Sequence, residues 1–248
     1  MDSTFVTLTT FMAICIGAGC GFGLKKHLRE DHLNSATQDA VKLATGVVAT
    51  LTAMVLGLLV ASAKQSFDAR ANQVHSFVVN LTLLDRTMRQ YTPALGTERR
   101  QLAAFAKAIR GQLWGTAPNV NGDVLTQLEV LRSRFRDLDP QSTRDKLFQD
   151  RFMTLSGEMI LAGSELLESH GSSVGPHIVA IVDVWLMIIF LGFGLFAPRN
   201  RVSVSAMVVS AGAVAMALFM IVEMDTPFDG FVSISPALID QAIGELST

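Results

Sequence analysis

Residues 43–63 read LATGVVATLTAMVLGLLVASA, 21 consecutive positions with no charged side chain. A helix rises ~1.5 Å per residue, so about 20 such residues cross a ~30 Å hydrocarbon core. The stretch is therefore read as a membrane span, and the residues after it decide the architecture. From Leu58 to Thr92 no Gly or Pro interrupts the chain, so the span is expected to continue as one long helix until Pro93 ends it. Past Lys64 the apolar residues are no longer continuous. Phe67, Val74, Phe77, Leu81, Leu84, Met88 and Tyr91 follow a seven-residue repeat, which makes one apolar seam on a helix.

Outward from this helix, residues 5–24 and 202–222 are also free of charge over a spanning length. Residues 178–197 are as long but contain Asp183, and the uncharged part, 184–197, would make only roughly 21 Å of helix. Asp183 is therefore expected inside the membrane, near one end of its span. The start of the chain carries no basic residue before its first apolar run, which reads as a retained helix and not as a cleaved signal.

Between Lys64 and His177 the composition changes. These 114 residues hold 26 charges, about 23%, near the ~25% of a soluble domain. Leu102, Phe105, Ile109 and Leu113 form one helical stripe, and Val124, Leu128, Leu131, Phe135 and Leu138 another. Phe148, Phe152, Leu155, Met159, Ala162 and Leu166 form a third. Turn residues between 111 and 122 separate the first two, and Asp139-Pro140 is the expected start of the last. The fold class is all-α: four transmembrane helices with a helical bundle inserted between the second and third. The expected division is 1–63, a first transmembrane hairpin; 64–177, the bundle; 178–222, a second hairpin; and 223–248, a C-terminal tail.

With four spans, both termini and the bundle share one side. The short loops opposite carry Lys25, Lys26, Arg29, Lys42, Arg199 and Arg201, and the positive-inside rule puts them in the cytoplasm. That count makes the bundle periplasmic. A net charge of −2 leaves no basic field for nucleic acid.

Several stretches carry a family resemblance. Asp31-His32-Leu33-Asn34-Ser35-Ala36-Thr37, Leu43-Ala44-Thr45-Gly46 and residues 55–64 are similar to the bacterial bestrophin-like membrane family. So are Leu83-Leu84-Asp85-Arg86, residues 193–200, and Glu223-Met224-Asp225-Thr226-Pro227-Phe228-Asp229-Gly230. The resemblance implies an ion channel of the bacterial inner membrane, assembled as a homo-oligomer, a pentamer by analogy, around the second helix. It also implies a cytoplasmic bundle, against the charge count. No pore motif of true bestrophins matches residue by residue.

Candidate sites are read from the residues themselves. Ala49, Ala53, Gly57 and Ala61 make a ridge of small residues on the second helix. It serves either packing within one subunit or an oligomer interface. Val48, Leu51, Val55 and Leu59, elsewhere on that helix, are the candidate pore or constriction residues. Gly17, Gly19, Gly21 and Gly23 suit close helix packing, because Phe22 stands where a dinucleotide fingerprint needs its third Gly. Asp183, Glu223 and Asp225 are expected near one membrane face. They form either acidic rings that favour cations or, for Asp183, a pair with Lys64 or Arg70 or a hydrated position at the interface, and for the other two a capped, hydrogen-bonded helix end. Pro227, Phe228 and Gly230 give the last motif its turn chemistry and an apolar anchor. The two carboxylates of Asp225 and Asp229 are too few for a Ca²⁺ loop, so no metal and no cofactor is expected. No catalytic motif is present, and the chain is read as a non-enzyme. The other functional class is a non-conducting membrane scaffold or sensor whose bundle binds a partner protein.

Overall fold

The computed structural model describes residues 3–27, 35–91, 95–115, 121–137, 139–168, 175–198 and 200–246. Within them lie eight helices and no strand: α1 (Ser3–Leu24), α2 (Ser35–Tyr91), α3 (Gly96–Leu113), α4 (Asn121–Arg136), α5 (Thr143–Glu168), α6 (Pro176–Phe196), α7 (Arg201–Asp225) and α8 (Ala237–Leu246). Four of these, α1, α2, α6 and α7, are long and apolar enough to cross a membrane. The long second helix is a single element of 57 residues. Arg29, His32, Pro93, Leu138, His170 and Arg199 lie outside the described residues.

Contacts divide the chain into two units, Met1–Phe67 with Ser172–Thr226, and Asp68–Gly171 with Pro227–Thr248. In the first unit α1 packs along α6 and α7. Glycine permits the closest of these approaches. A Cβ on Gly17 would stand 2.5 Å from the Met187 carbonyl oxygen, and one on Gly21 would overlap the Leu191 carbonyl. From the other side, a Cβ on Gly194 would overlap the Ala18 carbonyl. Gly17 and Gly21, four apart, lie on the face of α1 that meets α6, whereas nothing stands within 4 Å of Gly19 or Gly23. Ile14, Val182, Leu186 and Leu218 fill the space between the helices.

The second unit is built on large side chains. The α2 seam (Val74, Phe77, Leu81, Leu84, Met88) is buried with the expected stripe of α3, that of α4 from Val124 to Phe135, and most of that of α5. Phe135 stacks on Phe152 at 3.8 Å, and Tyr91 on Phe148 at 3.9 Å. Two boundaries differ from expectation. α3 continues through Gly111 to Leu113, and α5 begins at Thr143 instead of at Asp139-Pro140. Ser142 caps α5, its hydroxyl accepting from the Asp145 N–H at 3.1 Å, and a capped start outcompetes a proline three residues upstream.

The C-terminal segment, expected as a tail, contains α8. Ile239, Ala242, Ile243 and Leu246 recur at helical spacing and are buried in the same core. Three residues of α3 and its C-terminal end hold this segment. Arg110 pairs with Asp240 at 3.1 Å, the Trp114 indole N–H donates to the Ile234 carbonyl at 2.9 Å, and Arg99 donates to the last carbonyls of α8.

Candidate functional site

The site is built on the part of α2 that is long and apolar enough to span. Only 17% of that stretch is buried within the chain, against 33% for α6. At about 100° per residue, Val48, Thr52, Val55, Leu59 and Ala63 share one side of the helix. Thr52 and Ala63 are buried there, and Val48, Val55 and Leu59 are half-buried against the core of α1, α6 and α7. These three candidate pore residues therefore turn toward the other helices of their own chain. Leu51, the fourth, is 50% exposed and lies with Val47, Met54 and Leu58 on a flank of the helix, about 110° round from the buried side.

The small-residue ridge divides in the same way. Ala49 packs against the core, while Ala53, Gly57 and Ala61 are exposed. Nothing stands within 4 Å of a Cβ placed on Gly46 or Gly57. Packing inside one subunit therefore accounts for Ala49 and leaves the rest of the ridge open. Between α2, α6 and α7 is a cavity of about 570 Å³, lined by Thr45, Ala49, Phe190, Gly192 and Met207, with Lys42 at its edge.

Asp183 is half-buried on α6, facing α1, where the Thr10 hydroxyl donates to its Oδ1 at 2.7 Å. Thr10 is fully buried. The partner found is thus a neutral hydroxyl on the neighbouring helix in place of Lys64 or Arg70. No sequence pattern links Thr10 to Asp183, which are 173 positions apart. Glu223 and Asp225 are 2% and 7% exposed at the end of α7. The Thr226 N–H caps that end by donating to the Glu223 carbonyl at 3.3 Å.

In the second unit the Pro227 carbonyl accepts from the Ile234 N–H at 2.7 Å, closing a loop whose bend sits at Gly230, φ +98°. Phe228 meets the Trp114 ring edge-on at 5.2 Å, so the expected apolar anchor seats at the end of α3. The Leu83-Leu84-Asp85-Arg86 segment contains a further buried carboxylate. Asp85 accepts from Arg99 at 2.6 Å and from Arg89 at 2.8 Å. Arg89 is four residues on and legible in the sequence, whereas Arg99 comes from α3 and is not.

Comparison with known proteins adds the family. A family model, the bestrophin-like domain, matches residues 12–239. The chain belongs to the bestrophin-like family. No curated protein matches it. Among solved structures, a single-residue variant of a bacterial bestrophin homologue from Klebsiella pneumoniae is similar to this bestrophin-like chain, with a TM-score of 0.65 at 16% identity. The match covers 99% of this chain and 98% of that one. The same bacterial homologue solved by zinc phasing gives 0.64 at 15%, over 98% and 96%. A crystal structure of a single-residue variant of a membrane protein gives 0.68 at 14%, over 99% and 97%. Identities this low carry the fold alone.

Among the described residues of this bestrophin-like chain, no group of three His, Cys, Asp or Glu side chains is placed to hold a metal ion. The features gathered in the spanning helices are instead an open apolar and small-residue face on α2 and a carboxylate shared between α1 and α6.

Proposed function

We propose that this multi-pass membrane protein is a homo-oligomeric ion channel of the bacterial inner membrane, with α2 lining the pore. The observation that carries the reading is the open face of α2. One side of the helix is spent on its own subunit, while Gly46, Ala53, Gly57 and Ala61 offer close approach to something else. A ring of second helices, five by the family analogy, supplies that contact and directs residues near Leu51 inward. Membership of the bestrophin-like family and the likeness to the Klebsiella homologue support it. In this reading residues 64–177 form the extramembrane bundle, and lipid and permeant ions are the other partners.

Among the three acids, Asp183 is the selectivity candidate, being only half-buried. Glu223 and Asp225 serve the end of α7. Purified protein in planar bilayers is expected to conduct, with cations preferred. Asp183→Asn shifts the reversal potential toward anions, and Glu223→Gln does not. A folded oligomer that is silent across voltage and pH overturns the channel and leaves the scaffold. Orientation is tested separately. The charge count predicts that a C-terminal phosphatase fusion is active and a fluorescent-protein fusion dark, and the reverse result gives the family orientation.

A further inference from the structure

A second cluster of chemistry lies in the second unit, in the groove between the end of α2 and the start of α5. Here Arg86 on α2 and Arg144 and Arg151 on α5 line a cavity of about 450 Å³, with no carboxylate among the described residues of its walls. The helical spacing explains the convergence. Positions 83, 86, 87, 90 and 91 share one face of α2, and 144, 147, 148 and 151 one face of α5.

Four other arginines of this unit have partners within the protein. Arg89 and Arg99 hold Asp85, Arg110 holds Asp240, and Arg132 reaches the Met153 carbonyl. Arg86 and Arg151 have no hydrogen bond or ion pair to any described residue. Arg144 donates to the Gln90 carbonyl at 3.1 Å, neutralising the negative end of α2 and fixing one wall. The stacked Tyr91–Phe148 pair fixes the floor. The Asp145 carboxylate lies close to the Tyr91 phenol. Burial, and then that charge, hold its phenol above the ordinary value, so it stays neutral near pH 7. The first turn of α5 adds the partial positive charge of a helix start.

Three guanidinium groups lining one groove offer an anion several charge-assisted donors, and the planar guanidinium fork matches phosphoryl oxygens two at a time. We propose that the Arg86–Arg144–Arg151 cleft binds a phosphate-bearing anion. The volume suits a small ligand such as a soluble di- or triphosphate, and a lipid headgroup offers the same chemistry. The proposal does not depend on conduction.

The test uses the full-length protein in discs of zwitterionic lipid, titrated calorimetrically with inorganic pyrophosphate. Saturable binding that weakens with salt is expected, and Arg86→Gln or Arg151→Gln weakens it about tenfold or more, the loss of one charge-assisted bond. Arg100→Gln, on α3 and outside the cleft, leaves it unchanged. The second arm measures phosphatidylglycerol retained by the wild type and by both variants in anionic discs. A difference only in this arm assigns the phosphate to lipid, and a difference in the first assigns it to a soluble ligand. Wild type and variants that behave alike in both arms overturn the proposal. Arg86 and Arg151 are both exposed, so the variants are expected to fold, and unchanged circular dichroism checks this.

Discussion

The two units of this chain are both all-helical, yet they are held together by opposite means. Around α3, α4, α5 and α8 the core is made of Phe77, Phe105, Phe152 and leucines, and a carboxylate gripped by two arginines. Between α1 and α6 the closest contacts are backbone on backbone, at Gly17, Gly21 and Gly194. The difference comes from solvent. Burying large apolar side chains away from water contributes ~25 cal/mol per Å², whereas lipid tails are as apolar as leucine and leave close packing and a few polar bonds to hold helices together. The same sequence therefore writes its core in two alphabets.

The largest effect is expected where a charge is enclosed. Asp85→Ala leaves Arg99 facing a buried, unpaired position and frees Arg89 and Arg99, which both donate to the Glu245 carbonyl of α8. Breaking such a pair costs about 3–5 kcal/mol. Chemical unfolding monitored by far-ultraviolet circular dichroism checks it. A loss under about 1 kcal/mol would mean that the pair is solvated and that the aromatic core alone holds this unit.

The two alphabets are not equally legible in the sequence. Stripes of large residues are periodic, so α2 through α5 were legible from Val74, Leu102, Leu128 and Phe152 and their repeats. The α8 stripe was equally periodic but only ten residues long. The spans were legible from missing charge alone. Uniform hydrophobicity, however, hides which side of a span faces protein, and so Val48, Val55 and Leu59 could not be told from Leu51. The glycines of α1 were visible as a set, but only partners on α6 separate Gly17 and Gly21 from Gly19 and Gly23. Contacts between distant segments, Thr10 with Asp183 or Asp85 with Arg99, leave no local pattern at all.

In the membrane unit the corresponding break is steric. Gly21→Ala places a methyl group into the Leu191 carbonyl and the Leu195 backbone, which no side-chain rotation relieves. Overpacking of this kind costs about 1–3 kcal/mol. Gly19→Ala, two residues away and facing open space, is the control, expected to be neutral or slightly stabilising through helix propensity. Thermal melting of both variants in detergent decides it. Equal melting temperatures would show that α1 and α6 are not held by close backbone approach.

The smallest effect is expected at Thr10. Thr10→Val keeps the shape of the side chain and removes the hydroxyl that donates to Asp183, isolating the polar contribution from packing. Hydrogen bonds between membrane helices average about 0.6 kcal/mol and reach about 1.7. Asp183→Asn keeps an acceptor oxygen at the same place, so most of the bond survives in that variant. Asp183→Leu removes it. A double-mutant cycle of Thr10→Val with Asp183→Leu is therefore expected to give a coupling near 1 kcal/mol. Zero coupling would detach Asp183 from α1 and leave its cost in the membrane unexplained by helix packing. That result would strengthen its assignment to an ion path, because a carboxylate kept in a span without a structural partner is retained for what passes it.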